Sequence, residues 1–196
     1  MQELNEVGLT GLVVAAMLTN NIVLSQFLGL CPFIGVSNHT RNARGLAVAT
    51  TLVLTLVAGL TQFIYSYLLA PFHLEFLKTL VLIFVIAASV QTLELFIKQI
   101  SPLLHQSLGV FLPLITSNCA VLGVALLVVN QQFTSVLDAS IFGLGAGAGF
   151  ALVLLLLSQL RHKIAFAKAP LPFRGTPLGL ITAAIMSMAF MGFSGL

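Results

Sequence analysis

Two side chains in this chain of 196 residues can act as soft metal ligands, Cys31 and Cys119. A pair of thiols has three fates. They can pack as small hydrophobes, form a disulfide, or supply part of a metal site. Two are too few for a secreted disulfide framework. They are also half of what a tetrahedral zinc site or an iron–sulfur cluster takes, about four ligands. A metal site here would draw two more ligands from another chain, so the cysteine count also bears on a partner. His39, His73, His105 and His162 fall in loops or at segment ends, and none stands at ligand spacing from a cysteine. There is no Ser/His/Asp constellation, and no catalytic residue is expected.

The flanks of the cysteines are polar. Thr19-Asn20-Asn21 lies upstream of Cys31, and Thr116-Ser117-Asn118 runs directly into Cys119. In an apolar segment such groups either satisfy the backbone of a broken helix or donate to a metal-bound sulfur. Asn21, Thr116 and Asn118 are the candidates for that supporting role. Gly143, Gly145, Gly147 and Gly149 follow no strand and form no G-x-G-x-x-G, so their i,i+4 spacing points to close helix packing rather than a nucleotide. Glu94 and Lys98 read as a paired or snorkelling couple at a helix end, with a role in an ion path as the alternative.

The elements that must position these residues are set by composition. Hydrophobic residues make up 59% of the chain, charged residues 7%, and mean hydropathy is +1.11. Soluble proteins carry about a quarter charged residues, so soluble, disordered and coiled-coil classes are excluded and a polytopic membrane protein remains. The net charge of +3 sits in short loops and bears on orientation, not on nucleic acid. Met1–Gly8 has Glu3 and Glu6 but no Lys or Arg, which does not fit a cleavable signal.

Six apolar segments are predicted, near Gly8–Leu30, Gly45–Tyr67, Leu77–Phe96, Gln106–Val129, Ser140–Leu160 and Thr176–Phe193. Each approaches the ~20 residues that cross a bilayer as a helix. Runs such as Leu152–Leu157 lack the alternation of a membrane β-barrel. Seven of the eight basic residues (Arg41, Arg44, Lys98, Arg161, Lys163, Lys168 and Arg174) fall in alternate loops, leaving only Lys78 opposite. The positive-inside rule makes those loops cytoplasmic and places both termini outside.

The chain also repeats weakly. Gly45–Ala49 matches Gly143–Gly147 at an offset of 98 residues, and Cys31–Val36 matches Cys119–Val124 at an offset of 88. Halves of three crossings each, about 8–97 and 106–195, have opposite orientations, which is an inverted repeat within a single membrane domain, 1–196. A straight helix from Gly8 would carry Cys31 about 35 Å, to the far interface. Gly29, Pro32 and Gly35 permit a break that returns it inward, whereas Cys119 lies about 20 Å from Gln106, near the midplane, with Pro113 before it. The expectation is an all-α integral membrane protein with six transmembrane helices, the first and fourth interrupted.

Phe27–Ser37, Leu108–Gly123, Pro172–Gly175 and Ala189–Gly195 carry a resemblance over essentially the whole sequence. The chain resembles the family of membrane proteins shared by the Rnf ion-translocating oxidoreductase (electron transport) complex and the sodium-pumping NADH:quinone oxidoreductase, whose D and E components belong to it. Leu30-Cys31-Pro32-Phe33 is more similar to the A component of the Rnf complex than to the E component of the quinone reductase. The resemblance implies that Cys31 and Cys119, with two cysteines of a paralogous membrane subunit of opposite orientation (similar to the Rnf E component), hold a [2Fe–2S] cluster within the membrane. It further implies electron relay coupled to sodium or proton transport, in a bacterial inner membrane with periplasmic termini. The isolated chain would have no activity. No S-G-A-T flavinylation sequence is present, so no flavin is expected.

Two readings of other classes are a secondary transporter with a midplane site, disfavoured by the scarcity of intramembrane charge, and a scaffold indifferent to its cysteines. The topology has its own test. Single cysteines introduced at Ser37 and Leu196 are expected to label from opposite sides of the membrane, and labelling of both from one side would refute the arrangement.

Overall fold

The computed structural model describes residues 9–19, 21–36, 40–69, 77–100, 117–131, 133, 135–164 and 175–192, and these are helical apart from short turns. The first segment is broken twice. Helix α1, Leu9–Val14, runs into a π-helical turn at Ala15–Thr19. Helix α2, Ile22–Ser25, follows Asn21, and α3, Leu30–Val36, follows a turn. In that turn Phe27 and Gly29 have φ of 54° and 83°. Left-handed backbone ends α2 and redirects the chain. Pro32 falls in the first turn of α3, where its missing N–H has no helical partner to lose.

The remaining segments are simpler. Helix α4, Thr40–Ile64, ends in a π-helical turn, Tyr65–Leu69. It is followed by α5, Lys78–Ile100, α6, Cys119–Gln131, α7, Val136–Ile164, and α8, Thr176–Met191. Thus α4, α5, α7 and α8 each cover one predicted apolar segment. Helix α6 covers the second part of the fourth, while Gln106–Thr116 and Pro113 lie outside the described residues. The side chains of Glu94 and Lys98 also lie outside them. Ala43–Leu68 and Val136–Ile164 are long and apolar enough to cross a bilayer, and the apolar stretches Lys78–Leu93, Cys119–Gln131 and Thr176–Met191 are shorter.

Helix α7 is the axis of the bundle. Asp138 in its first turn and Arg161, His162 and Lys163 in its last complement its dipole. Between them Phe150, Val153, Leu154 and Leu157 are fully enclosed. Its glycines face two neighbours. A Cβ on Gly143 would stand 2.6 Å from Ala58 Cβ, and one on Gly147 2.8 Å from Thr51 Cα, both on α4. A Cβ on Gly145 would meet Val13 and Ala16 at 3.2 Å, and one on Gly149 would meet the Met17 carbonyl at 2.9 Å, all on the first segment. Two small-residue stripes therefore interleave on one helix, and each admits a different backbone. Thr51 Oγ1 adds an interhelical hydrogen bond, donating to the Gly147 carbonyl at 3.1 Å as well as to Ala47 within α4.

The opposite face of α4 is bare. Val48, Leu52, Leu56, Leu60 and Phe63 form an exposed apolar stripe at helical spacing. Leu80, Ile83 and Phe84 on α5 are exposed too, as are Ile181, Ile185 and Met188 on α8. Continuous apolar faces of this extent suit lipid or a partner helix, not water. Lys78, the basic residue set apart from the others in sequence, donates to Asn130 Oδ1 at 2.8 Å.

Gly147→Leu forces α4 away from α7 and is expected to destabilise the fold by about 1–3 kcal/mol, the usual cost of overpacking. Gly45, where an added Cβ meets nothing within 4 Å, is the control. Thermal unfolding of the two variants in one detergent should separate them, Gly45→Ala melting at or slightly above the parent.

Candidate cysteine site

Asn118 builds the site from below. Its side-chain Oδ1 accepts the Ala120 N–H at 3.1 Å, and its carbonyl accepts the Val121 N–H at 3.0 Å. That caps α6 and makes Cys119 the first residue of the helix. Cys119 is half-buried, and its Sγ accepts the Gly29 N–H at 2.9 Å. The turn after α2 is thereby tied to the start of α6. The approach requires glycine: a Cβ at Gly29 would lie 3.1 Å from Ala120 Cβ, Asn118 Oδ1 and a Phe150 ring carbon.

Cys31 comes two residues after Gly29, in the first turn of α3, and is exposed. Standard chain geometry from the Gly29 N–H contact keeps its Cα within about 12 Å of Cys119 Sγ. The fold therefore gathers both cysteines at one junction of short helices, each as a free thiol. Among the described residues no group of three His, Cys, Asp or Glu could hold a metal. A soft metal centre here would take its thiolates from Cys31 and Cys119, the two cysteines of the chain.

The polar candidates divide. Asn21 is buried, and its Oδ1 accepts the Val23 N–H at 3.2 Å, capping α2 as Asn118 caps α6. Its amide nitrogen donates to the carbonyls of Met17 at 3.0 Å and Gly149 at 3.1 Å. Both amide hydrogens are used, so Asn21 joins the broken first segment to α7 and has none left for a sulfur. Asn118 is 3% exposed, and its Nδ2 has no partner among the described residues. It is a buried donor beside Cys119. Thr116 lies outside the described residues.

The hydrogen bonding also adds an internal correspondence. Asn21 and Asn118 share one geometry, at an offset of 97 residues, close to the 98 seen elsewhere in the chain. The cysteines do not share one. Cys119 directly follows its asparagine, whereas Cys31 lies in the second helix after Asn21. The stretches aligned at the offset of 88, Cys31–Val36 and Cys119–Val124, are both helical with the cysteine in the first turn, but their caps differ. The sequence signal shared by the two caps is Thr-x-Asn, at Thr19–Asn21 and Thr116–Asn118, of which the structure describes the asparagines.

Arg161 is a further residue at this junction, counted from sequence only as an orientation charge. Its Nη1 donates to the Ile34 carbonyl at 2.8 Å, at the far end of α3. Ser187 on α8 similarly donates to the Leu24 carbonyl of α2 at 2.7 Å.

Fold and site define a helical membrane protein in which a broken first segment and the start of α6 bring two free thiols to one junction. The family described as "Rnf-Nqr subunit, membrane protein" matches residues 9–196, and the chain belongs to it. Among its relatives, a protein of Alcanivorax borkumensis named as the A component of an ion-translocating oxidoreductase complex is 56% identical over 185 residues, 94% of this chain and 95% of that protein. Proteins of the same name from Alkalilimnicola ehrlichii and Pseudomonas aeruginosa are 54% and 55% identical, with the same coverage.

Gly29→Ala combines a left-handed backbone with three contacts at 3.1 Å and is expected to cost about 1–3 kcal/mol. Gly35→Ala, with nothing within 4 Å, should leave unfolding in detergent nearly unchanged.

Proposed function

We propose that this chain is the A-type membrane component of an Rnf ion-translocating oxidoreductase complex. In this reading Cys31 and Cys119 supply two of the four thiolates of an intramembrane [2Fe–2S] cluster, and a paralogous subunit of opposite orientation supplies the others. The names of relatives at 54–56% identity support membership of the complex, and favour it over the quinone-reductase paralogue. The observation that carries the cluster reading is the junction itself: two free thiols from distant parts of the chain, one exposed toward any docking subunit, with no third ligand among the described residues.

The surrounding groups fit such a centre. When bound, the cluster would supply one-electron transfer. The chain's own part is to hold and tune. The Gly29 N–H already donates to Cys119 Sγ, and the amide of Asn118, without a partner among the described residues, is a second donor next to it. Hydrogen bonds to cluster sulfurs stabilise the more negative, reduced state and raise the potential. On the Cys119 side of the junction the buried Ala120 and Phe150 would limit solvent access.

The same reading takes the apolar segments as six crossings of a bacterial inner membrane, in inverted halves 8–97 and 106–195 with periplasmic termini. The exposed apolar stripes on α4, α5 and α8 and the loop charges support it. Electron relay would be coupled to sodium or proton movement through the complex.

Iron analysis and electron paramagnetic resonance of the reduced, purified complex test this. Cys31→Ala and Cys119→Ala should each remove the [2Fe–2S] signal and electron transfer while the chain still inserts in the membrane. Asn118→Ala should retain iron with a lowered reduction potential, as expected on losing a donor to sulfur. Full iron content and normal turnover in a Cys119→Ala complex would end the cluster reading.

A further inference from the structure

We propose that Arg161 is a positioning residue for Cys31, acting through the C-terminal end of α3. This rests on the reading of Cys31 as a cluster ligand. Helix α3 has 7 residues, about two turns, too short to hold itself without external contacts. Its location is therefore imposed from both ends. Before its first residue, the Gly29 N–H is fixed to Cys119 Sγ at 2.9 Å. In its last turn, Arg161 Nη1 donates to the Ile34 carbonyl at 2.8 Å. The last carbonyls of a helix lack intrahelical donors and form the negative end of its dipole, so a guanidinium there supplies both a hydrogen bond and an opposite charge. Cys31 lies only about 4.5 Å along the helix axis from Ile34, so tilting α3 at that end moves the thiol with it.

The guanidinium is itself seated. Gly179 on α8 is buried, and a Cβ there would stand 3.3 Å from both Cζ and Nε of Arg161. The absent side chain gives the planar group a surface to lie against, a fit suited to arginine rather than lysine. One residue of α7 thus ties α3 to α8 at the level where α3 ends. Cys119 depends on a different device, the Asn118 cap of α6. Loss of the Arg161 contact should therefore disturb one cysteine and spare the other, a selectivity that general loosening of the bundle would not produce.

The test uses the purified complex after its iron has been removed with a chelator. Alkylation of each cysteine by N-ethylmaleimide is followed by mass spectrometry. In the complex the exposed Cys31 faces the docked subunit, and Arg161→Gln is expected to raise its rate about threefold or more by letting α3 tilt away from that partner, with Cys119 changed less than about twofold. Arg161→Lys, which keeps the charge but loses the planar group seated on Gly179, should recover only part of the difference. If Arg161→Gln fails to assemble, Gly179→Val reads the same proposal by taking the seat of the guanidinium, and should reproduce the selective rise. A Cys31 rate unchanged in the variant that assembles, or both cysteines rising together, overturns the proposal. Iron content of the untreated parent complex keeps the two claims apart. A parent without a [2Fe–2S] signal refutes the cluster, whereas the selective alkylation reports on Arg161 alone. In the iron-loaded complex, Arg161→Gln should also broaden the resonance signal at equal spin count.

Discussion

An interrupted helix in an apolar medium leaves backbone N–H and C=O groups that no solvent will satisfy, and the protein must meet each one internally. Two asparagines carry most of that burden here. Asn21 accepts from the Val23 N–H while donating to the carbonyls of Met17 and Gly149, and Asn118 accepts from the Ala120 N–H. Around these caps the remaining polar contacts of the breaks fall into place. Ser187 meets the Leu24 carbonyl, Arg161 meets the Ile34 carbonyl, and Gly29 directs its N–H to sulfur. The cysteines sit where they do because the chain is broken there, and the breaks persist because polar side chains from other helices complete them.

Helix α7 provides the reference for all of this. Gly149 accepts from Asn21 on one side, Gly147 accepts from Thr51 on another, and Arg161 reaches α3 from its last turn. Helices packed through glycine gain dispersion contacts between backbones and bring carbonyls within reach of neighbouring side chains, which larger residues would prevent.

Much of this was legible in the residue order. Long apolar runs without alternation mark α4, α5, α7 and α8, and the glycine series of α7 declares close packing before any neighbour is known. The interruption of the first segment is foreshadowed by Asn21, Gly29 and Pro32. What stayed hidden was pairing over distance. Nothing near Gly29 says that its N–H belongs to a thiol 90 residues away. The basic character of Arg161 accounts for itself as a loop charge, and so conceals its bond to Ile34. The likeness between Cys31–Val36 and Cys119–Val124 marks two helical stretches with a cysteine in the first turn, but says nothing of how each is capped. Local hydrogen bonding instead pairs Asn21 with Asn118, since a cap is defined by which N–H it serves and not by its neighbours' identity.

The interleaved glycines of α7 have a mechanical meaning as well. A contact between side chains can be retuned, because rotamers shift and neighbouring groups slide to fill a gap. Where Gly143 and Gly147 meet α4, and Gly145 and Gly149 meet the first segment, α7 offers no side-chain torsions at all. Such a seam has no play. It can hold its register or part, and strain arriving at one edge passes to the other almost undamped, as through a rigid strut. Any working motion of this protein must then find its compliance elsewhere, in the short helices and left-handed turn around Phe27 and Gly29, leaving α4, α7 and the α1 segment to move as one body.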